Sequence, residues 1–361
     1  MTKIPVGILG ATGMVGQQYI ALLAGHPWFE VRYVAASPRS AGKSYCDAVA
    51  GRWQLARAWG AGVGDLIVKD ANDPSAAVGN CAFMFSALDM AKDEIRALED
   101  SYASAGIPLI SNASAHRWTP DVPVLIAEVN PQHTDIIPAQ QKARGWTKGF
   151  IAVKPNCSIQ SYTTPVYALI AAGYEVRRMI VSTMQAVSGA GYPGVPSLDM
   201  IDNVVPYIGG EEEKSEDEPR KILGMLADGV IQNAALPKIS AHCNRVPVVD
   251  GHTACVSLEF GEKKPSIAEV KRVWSAFSAL PQELDLPTAP KRPIIVRDED
   301  NRPQPRKDRD ADKAMAVSVG RVRPCKVFDL RFVGLSHNTV RGAAGGGIEN
   351  AELLKAKGYI S

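Results

Sequence analysis

Net charge is almost absent from this 361-residue chain: 40 Lys and Arg face 38 Asp and Glu, a formal +2, and no long run of one sign occurs. That balance excludes the strongly basic surface expected of a nucleic-acid or acidic-membrane binder. Long hydrophobic runs are also missing, and no stretch approaches the roughly 20 apolar residues that span a bilayer. Histidine and cysteine are scarce, 6 of each, with no CxxC and no Cys/His spacing suited to a metal. No metal site is expected, and Cys46, Cys81, Cys157, Cys243, Cys255 and Cys325 are expected as thiols of a reducing compartment. The opening Met1-Thr2-Lys3-Ile4-Pro5-Val6 runs into a strand pattern without the layout of a signal peptide, so a cytoplasmic location is expected.

What is present is enough apolar residue, 46 %, for a large core, in a chain long enough for two domains. Short apolar runs alternate with helix-like stretches in the first part: Ile4–Leu9, Val31–Ala36, Ala82–Ala87, Leu109–Ser111 and Val122–Ile126 are the expected strands. This is the mark of a doubly wound parallel sheet of the Rossmann type, placed at residues 1–148. From about Gly149 the strands lengthen and alternate, at Arg178–Ala186, Asn244–Val249, Thr253–Phe260, Met315–Val322 and Val327–Leu335. They predict an α+β domain over 149–337 with a mostly antiparallel sheet, covered on one face by helices near Glu211–Leu226 and Ser266–Ala279. The Pro- and charge-rich Lys291–Lys313 reads as an exposed loop or arm. A final helix over about Asn338–Lys357, in the C-terminal segment 338–361, is expected to pack back onto the first domain.

Ile8-Leu9-Gly10-Ala11-Thr12-Gly13-Met14-Val15-Gly16 follows the first strand and opens a helix carrying Val15, Tyr19, Ile20 and Leu23. Glycines let a backbone approach a pyrophosphate, and the helix start offers free N–H groups and positive potential. The second strand ends in Ser37-Pro38-Arg39-Ser40-Ala41-Gly42-Lys43. An enzyme selecting a free ribose 2′-hydroxyl would carry an acid there, roughly 20 residues past the turn. Hydroxyls and two cations in its place favour a 2′-phosphate, hence NADP.

Lys154-Pro155-Asn156-Cys157-Ser158 lies between the apolar run Phe150–Val153 and a helical stretch, Tyr162–Ala172. A thiol where strand gives way to helix gains from the positive helix end, which lowers its pKa. Pro165 leaves open whether Cys157 sits on that helix or in the loop before it, and a lone cysteine is more often a small core residue. Arg245 and His252 come close together in Cys243–His252, which reads as two strands joined by an Asp250-Gly251 turn. A guanidinium can clamp a carboxylate, and a histidine can move a thiol proton. His26, His116, His133, His242 and His337 are expected to be structural.

At these residues the chain resembles the aspartate-β-semialdehyde dehydrogenase family, over essentially its full length and most closely in the archaeal and fungal branch. The resemblance is carried by Gly10–Gly16, Ser111–Arg117, Pro155–Ser158, Met184–Gly191, Glu211–Lys214, Asn244–Pro247 with His252, Arg302–Arg306 and Asn338–Gly345. It implies Cys157 as the acylated nucleophile, His252 as acid/base and Gln185 as the group orienting the thioester carbonyl. It further implies Arg245 on the substrate carboxylate, Glu211 on its ammonium, and Arg117, Asn156 and Lys214 as a phosphate site. Cofactor contacts would come from Gly10, Thr12, Gly13, Met14, Val15, Ser37, Arg39, Ser40, Lys43, Ser86, Ala87, Ser188, Gly189, Asn338 and Thr339.

Two departures stand out. Ile159-Gln160-Ser161-Tyr162 replaces the usual small residues after the cysteine, and Glu212 or Glu213 could serve in place of Glu211. The implied reaction is reductive dephosphorylation of L-aspartyl 4-phosphate to L-aspartate 4-semialdehyde, reversible, through a cysteine thioester, by a homodimer or homotetramer. In the family this reaction supplies lysine, threonine and methionine synthesis. Rival readings are a paralogue acting on N-acetylglutamyl phosphate or malonyl-CoA, and an inactive NADP-binding scaffold.

Overall fold

The computed structural model describes residues 2–361. Strands β1 (Ile4–Leu9), β2 (Phe29–Ala36), β3 (Lys69–Asp70), β4 (Phe83–Ser86), β5 (Leu109–Ser111) and β6 (Ile151–Val153) form one sheet in the order β3-β2-β1-β4-β5-β6. Every pairing in it is parallel. Helices lie on both faces, which is why β4 is buried at all four positions, Phe-Met-Phe-Ser. The sixth strand lies beyond the boundary expected at 148, so this sheet extends to Val153.

Val122–Ile126, expected as a strand, gives only one bridge, Val124 to Val153. Pro123 has no N–H to continue a ladder, although the flanking Val122, Val124, Leu125 and Ile126 are all buried.

The second sheet contains β7 (Val176–Gln185), β10 (Lys238–Arg245), β11 (His252–Phe260), β12 (Ile294–Arg297), β13 (Val317–Pro324) and β14 (Leu330–Ser336), with β8 (Met225–Ala227) and β9 (Val230–Gln232) forming a separate ribbon. Its order is β10-β7-β11-β14-β13-β12. The three central pairings are antiparallel and the two at the edges parallel, so the sheet is mixed.

Arg245 and His252 are therefore not on a hairpin, as the sequence predicted. β7 lies between their strands, paired parallel to β10 and antiparallel to β11. The expected strand Asn244–Val249 ends at Arg245, before Pro247. Within Lys291–Lys313, expected to be an arm, β12 forms the sheet edge and buries Ile294, while Asp308 is buried beneath two arginines, Arg297 and Arg302. Proline and charge are what an edge strand tolerates, so the composition concealed it.

Helices Thr163–Ala171 and Ile267–Ala276 cover one face of this sheet. Trp274 stacks edge-on to Phe332 at 5.0 Å and donates its indole N–H to the Pro165 carbonyl at 2.8 Å. Ser266 caps the second helix through a capping box with Glu269. The chain's last helix, Gly345–Ala356, starts later than expected, after a π-helical turn at Val340–Ala344. Its Ile348, Ala351 and Leu354 share a core with Ile8, Tyr19 and Ile110 of the first sheet layer. A second core runs from Leu9, Met84 and Ile151 to Val181, Val256 and Phe332, so the two sheets are cemented by a continuous apolar body.

Candidate active site

Two constructions meet where the sheets adjoin. The first is the turn after β1. Gly10 has φ +82°, and a Cβ built on it would lie 2.5 Å from the Ala87 carbonyl oxygen. A Cβ on Gly16 would meet the Gly10 carbonyl at 2.3 Å. The backbone of β1, the turn and β4 is thus packed as closely as glycine allows. Gln17 holds the turn by donating to the Thr12 carbonyl at 3.0 Å. Thr12, Met14 and Val15 are half-buried and Gly13 exposed. Beside them, Gly10 and Ala11 both donate to the Ala35 carbonyl of β2, whose end leads to exposed Ser37, Arg39 and Lys43 and buried Ser40.

Ser86 and Ala87 close the other side of the turn. The buried Ser86 hydroxyl donates to Glu99 at 2.6 Å, as does that of Ser111. Burial pushes the Glu99 carboxyl up to about 7.

The second construction surrounds Cys157. The residue is the N-cap of a 3-10 turn, Ser158–Ser161, and Pro165 sits inside the helix that follows, so the thiol belongs to the loop rather than to that helix. Asn156 shapes the loop: its side-chain oxygen accepts from Ser158 N at 2.8 Å and Ser158 Oγ at 2.6 Å. Its backbone N–H donates to Glu218 at 2.6 Å, and its amide donates to both Glu211 oxygens at 2.9 and 3.0 Å.

His252, the first residue of β11, brings Nε2 to 3.3 Å from Cys157 Sγ, and its Nδ1 accepts the Ala186 N–H at 2.9 Å. Gln185, at the end of β7, donates to Glu211 at 3.2 Å. Arg245, at the end of β10, donates to the Ala186 carbonyl at 2.7 Å. Three strand ends and the start of helix Glu211–Ile222 therefore converge around a single thiol.

Of the three adjacent carboxylates, Glu211 alone faces this ring. Glu212 accepts the edge N–H of Cys243 at 3.1 Å, and Glu213 is exposed. Glu211 also accepts from Lys214 Nζ at 2.8 Å. Burial works against its charge, but Lys214, Asn156 and Gln185 outweigh it and hold the carboxyl below its ordinary range.

Burial and Glu211 raise the Cys157 thiol, against Lys154, Arg117 and Arg245, which lower it. The lowered thiol predicted from a helix end is thus not what the pocket produces: the following turn is short, and desolvation dominates. Burial, Arg245, His337 and Lys154 push His252 down to about 3.

Among the remaining expected residues, Arg117 spreads its guanidinium over Glu218 at 2.9 Å, the Lys154 carbonyl at 3.1 Å and the Asn112 carbonyl at 3.0 Å. Asn338 ties the loop after β7 to the turn before β11, accepting from Gly251 N and donating to Ser188 Oγ, each at 2.8 Å. Thr339 lies 3.4 Å from His337. A Cβ on Gly189 would come within 2.9 Å of Arg245 and 3.1 Å of the His252 ring, so the loop after β7 is pressed onto the site.

Residues 5–137 match the family described as semialdehyde dehydrogenase, NAD binding domain, and residues 166–341 match semialdehyde dehydrogenase, dimerisation domain. An aspartate-semialdehyde dehydrogenase of Methanothermobacter thermautotrophicus is 50 % identical over 97 % of this chain and 99 % of its own length. One of Aspergillus fumigatus is 47 % identical over 99 % of each. The chain belongs to the aspartate-semialdehyde dehydrogenase family. A crystal structure of the Candida albicans aspartate semialdehyde dehydrogenase with NADP is 41 % identical and superposes with a TM-score of 0.91, over 99 % of this chain and 100 % of that one.

Three site-supporting residues carried no signal of their own in the sequence. Glu218, one and a half turns beyond the acidic run, joins Arg117 to the Asn156 backbone. Glu99 ties Ser86 to Ser111. Lys154 is 1 % exposed and donates to the Pro155 carbonyl. Its place next to Pro155-Asn156-Cys157 is the one hint, since a lysine is by default a solvated residue.

His26 pairs with Glu352 at 2.7 Å, and His133 bridges Asn130 and the Gly224 carbonyl. Both are structural, as expected. All six cysteines are free thiols. No helix among the described residues is long and apolar enough to cross a membrane.

Proposed function

We propose that the chain interconverts L-aspartyl 4-phosphate and L-aspartate 4-semialdehyde with NADP, through a thioester on Cys157. The observation that carries this reading is the buried thiol, 3.3 Å from His252, inside a ring of Gln185, Glu211, Asn156 and Arg245. Arg245 is a buried cation with no carboxylate in ion-pair range among the described residues, and it is suited to a substrate α-carboxylate. Glu211 offers the ammonium a carboxylate fixed by three donors. A paralogue for N-acetylated or CoA-linked substrates has no ammonium for Glu211 to meet.

The glycine-walled turn fits a dinucleotide pyrophosphate, and exposed Arg39 and Lys43 beside it fit a 2′-phosphate. Thr12, Gly13, Met14 and Val15 would line the pyrophosphate, with Ser37 and Ser40 by the ribose. Ser86, Ala87, Ser188, Gly189, Asn338 and Thr339 would flank the nicotinamide. The cofactor, when bound, supplies the hydride.

The protein's own groups do the rest. The sulfur of Cys157 bonds to the acyl carbon as the carbon–oxygen bond to phosphate breaks. Lys214, Asn156 and the remaining N–H groups of Arg117 receive the phosphate. Gln185 holds the carbonyl, and His252 presents its Nε2 to sulfur and oxyanion.

Residues 1–153 with the last helix would act as the cofactor domain, and the sheet of β7 and β10–β14 as the catalytic and oligomerisation domain. A homodimer or homotetramer in the cytoplasm, serving lysine, threonine and methionine synthesis, completes the proposal. The test is phosphate-dependent NADPH formation from L-aspartate 4-semialdehyde, with N-acetylglutamate semialdehyde and malonate semialdehyde plus CoA as competitors. Turnover on the first alone supports the reading; turnover only on a competitor removes the role given to Glu211.

A further inference from the structure

The buried side chain of Arg341 lies outside the ring around Cys157, yet the residue that follows it packs directly on that cysteine. A Cβ built on Gly342 would lie 2.9 Å from Cys157 Cβ, 3.2 Å from its Cα and 3.3 Å from its carbonyl oxygen. Only a bare Cα fits there. Gly342 is therefore a backbone wall against the carbon that carries the sulfur, while His252 Nε2 lies 3.3 Å from the sulfur itself. Slack in the wall would become slack in the contact between thiol and histidine.

Arg341 removes that slack. Its guanidinium donates to the two oxygens of Glu128 at 2.8 and 3.1 Å, to the Met315 carbonyl at 2.6 Å and to Thr164 Oγ1 at 3.0 Å. All three partners are buried, and each comes from a different stretch of chain. Thr164 is in the first turn of the helix that follows the Cys157 turn, Met315 leads into β13, and Glu128 lies in the loop after Val122–Ile126. That loop is itself fixed, because Asn130 accepts the Ile126 N–H at 2.9 Å and donates to the Val124 carbonyl at 2.8 Å. The Gly342 N–H donates to the His337 carbonyl, also at 2.8 Å. One guanidinium thus ties the Gly342 segment both to the first domain and to the helix that continues from the nucleophile loop.

A buried ion pair adds little net stability over an apolar replacement, since desolvation offsets the attraction. What a two-pronged arginine–carboxylate contact does supply is a fixed distance and angle.

We propose that Arg341 is a positioning residue for the nucleophile: through Glu128, Met315 and Thr164 it holds Gly342 against Cys157 and so keeps the sulfur within reach of His252. This rests on Cys157 being the nucleophile. Arg341 touches neither sulfur nor substrate, and it acts only through the wall it holds. A displacement on the order of 1 Å at a reacting group can cost about 10² in rate, so a tether of this kind bears directly on turnover.

The test is a double-mutant cycle on iodoacetamide alkylation of Cys157 at pH 7, followed on its peptide by mass spectrometry. Arg341→Lys keeps the charge opposite Glu128 but loses the fork that reaches three partners at once. It is expected to slow alkylation about fivefold or more, because a sulfur moved from Nε2 loses the hydrogen bond that favours its thiolate. In a His252→Ala background the same substitution is expected to cost less than about twofold, since the contact it disturbs is already gone. Thr164→Val leaves the ion pair and deletes one of the hydrogen bonds. It is expected to show the same coupling at smaller size, and it carries the test if Arg341→Lys does not fold. Equal factors in the two backgrounds, or wild-type alkylation in both variants, would overturn the proposal and leave Arg341 a residue of the fold alone. Wild-type protein that forms no acyl adduct from L-aspartate 4-semialdehyde and NADP, alongside the expected cycle, would instead remove only the nucleophile reading.

Discussion

Around Gly10 the turn is built of main-chain N–H groups and bare Cα atoms, whereas around Cys157 side chains are brought together from distant stretches of chain. The first region depends on what is missing, since a single Cβ at Gly10 or Gly16 collides with carbonyl oxygens 2.5 and 2.3 Å away. The second depends on what is paired: Asn156, Gln185, Glu211 and Lys214 form one hydrogen-bonded chain beside the thiol. A backbone cradle fails by steric addition and takes stability with it. A side-chain ring fails by chemical deletion and leaves the fold standing.

The sharpest separation comes from Cys157→Ala, expected to lower turnover by on the order of 10⁴ or more while NADP binding and melting temperature stay near wild type. Calorimetric titration beside the rate assay reads both; a parallel loss of cofactor binding would erase the distinction between the regions. Gly10→Ala should do the reverse: a positive φ and the Ala87 carbonyl oppose the methyl, costing roughly 1–3 kcal/mol in stability and weakening NADP binding, as thermal melts with and without cofactor would show.

Arg245→Leu is expected to raise KM for the semialdehyde by about 10², from loss of a charged hydrogen-bond pair worth roughly 2–3 kcal/mol, with the cofactor KM unchanged. Arg39→Glu should cost about tenfold in preference for NADP over NAD and nothing in the semialdehyde KM. An unchanged preference would move 2′-phosphate recognition elsewhere.

The smallest effect probes Glu99, the buried acid that ties Ser86 to Ser111. Burial pushes the Glu99 carboxyl up to about 7 in the folded chain. Because its pKa is raised on folding, the stability it contributes is present below its unfolded value and lost as pH rises through about 7. Glu99→Gln keeps an oxygen for Ser86 and Ser111, and should flatten that decline by on the order of 1 kcal/mol between pH 5 and 8 in denaturant midpoints.

Legibility followed the same division. The strand, glycine turn and helix from Ile4 to Leu23 lie within 20 consecutive residues, so local spacing revealed them. Cys157, Arg245 and His252 stood out by residue type and local setting, but Gln185, Glu211, Asn156 and Lys214 were readable only through a family resemblance, because the ring closes through pairings of distant strands. Arg245 and His252, close in sequence, suggested a hairpin, yet β7 inserts between them, and no local signal encodes that insertion. β12 was hidden by the charges and prolines that an edge accepts. The Ala186 N–H that holds the His252 ring is a partner 66 positions away, and Lys154 is a residue type whose ordinary place is the solvent.

The most direct test of the thioester account is a rapid-mixing experiment with L-aspartate 4-semialdehyde and NADP in which phosphate is withheld. The account predicts a burst of about one NADPH per chain, then near silence, with an acyl group recovered on the Cys157 peptide after acid quenching; phosphate should restore steady turnover. Steady NADPH formation without phosphate, or a burst with Cys157 unmodified, would contradict it.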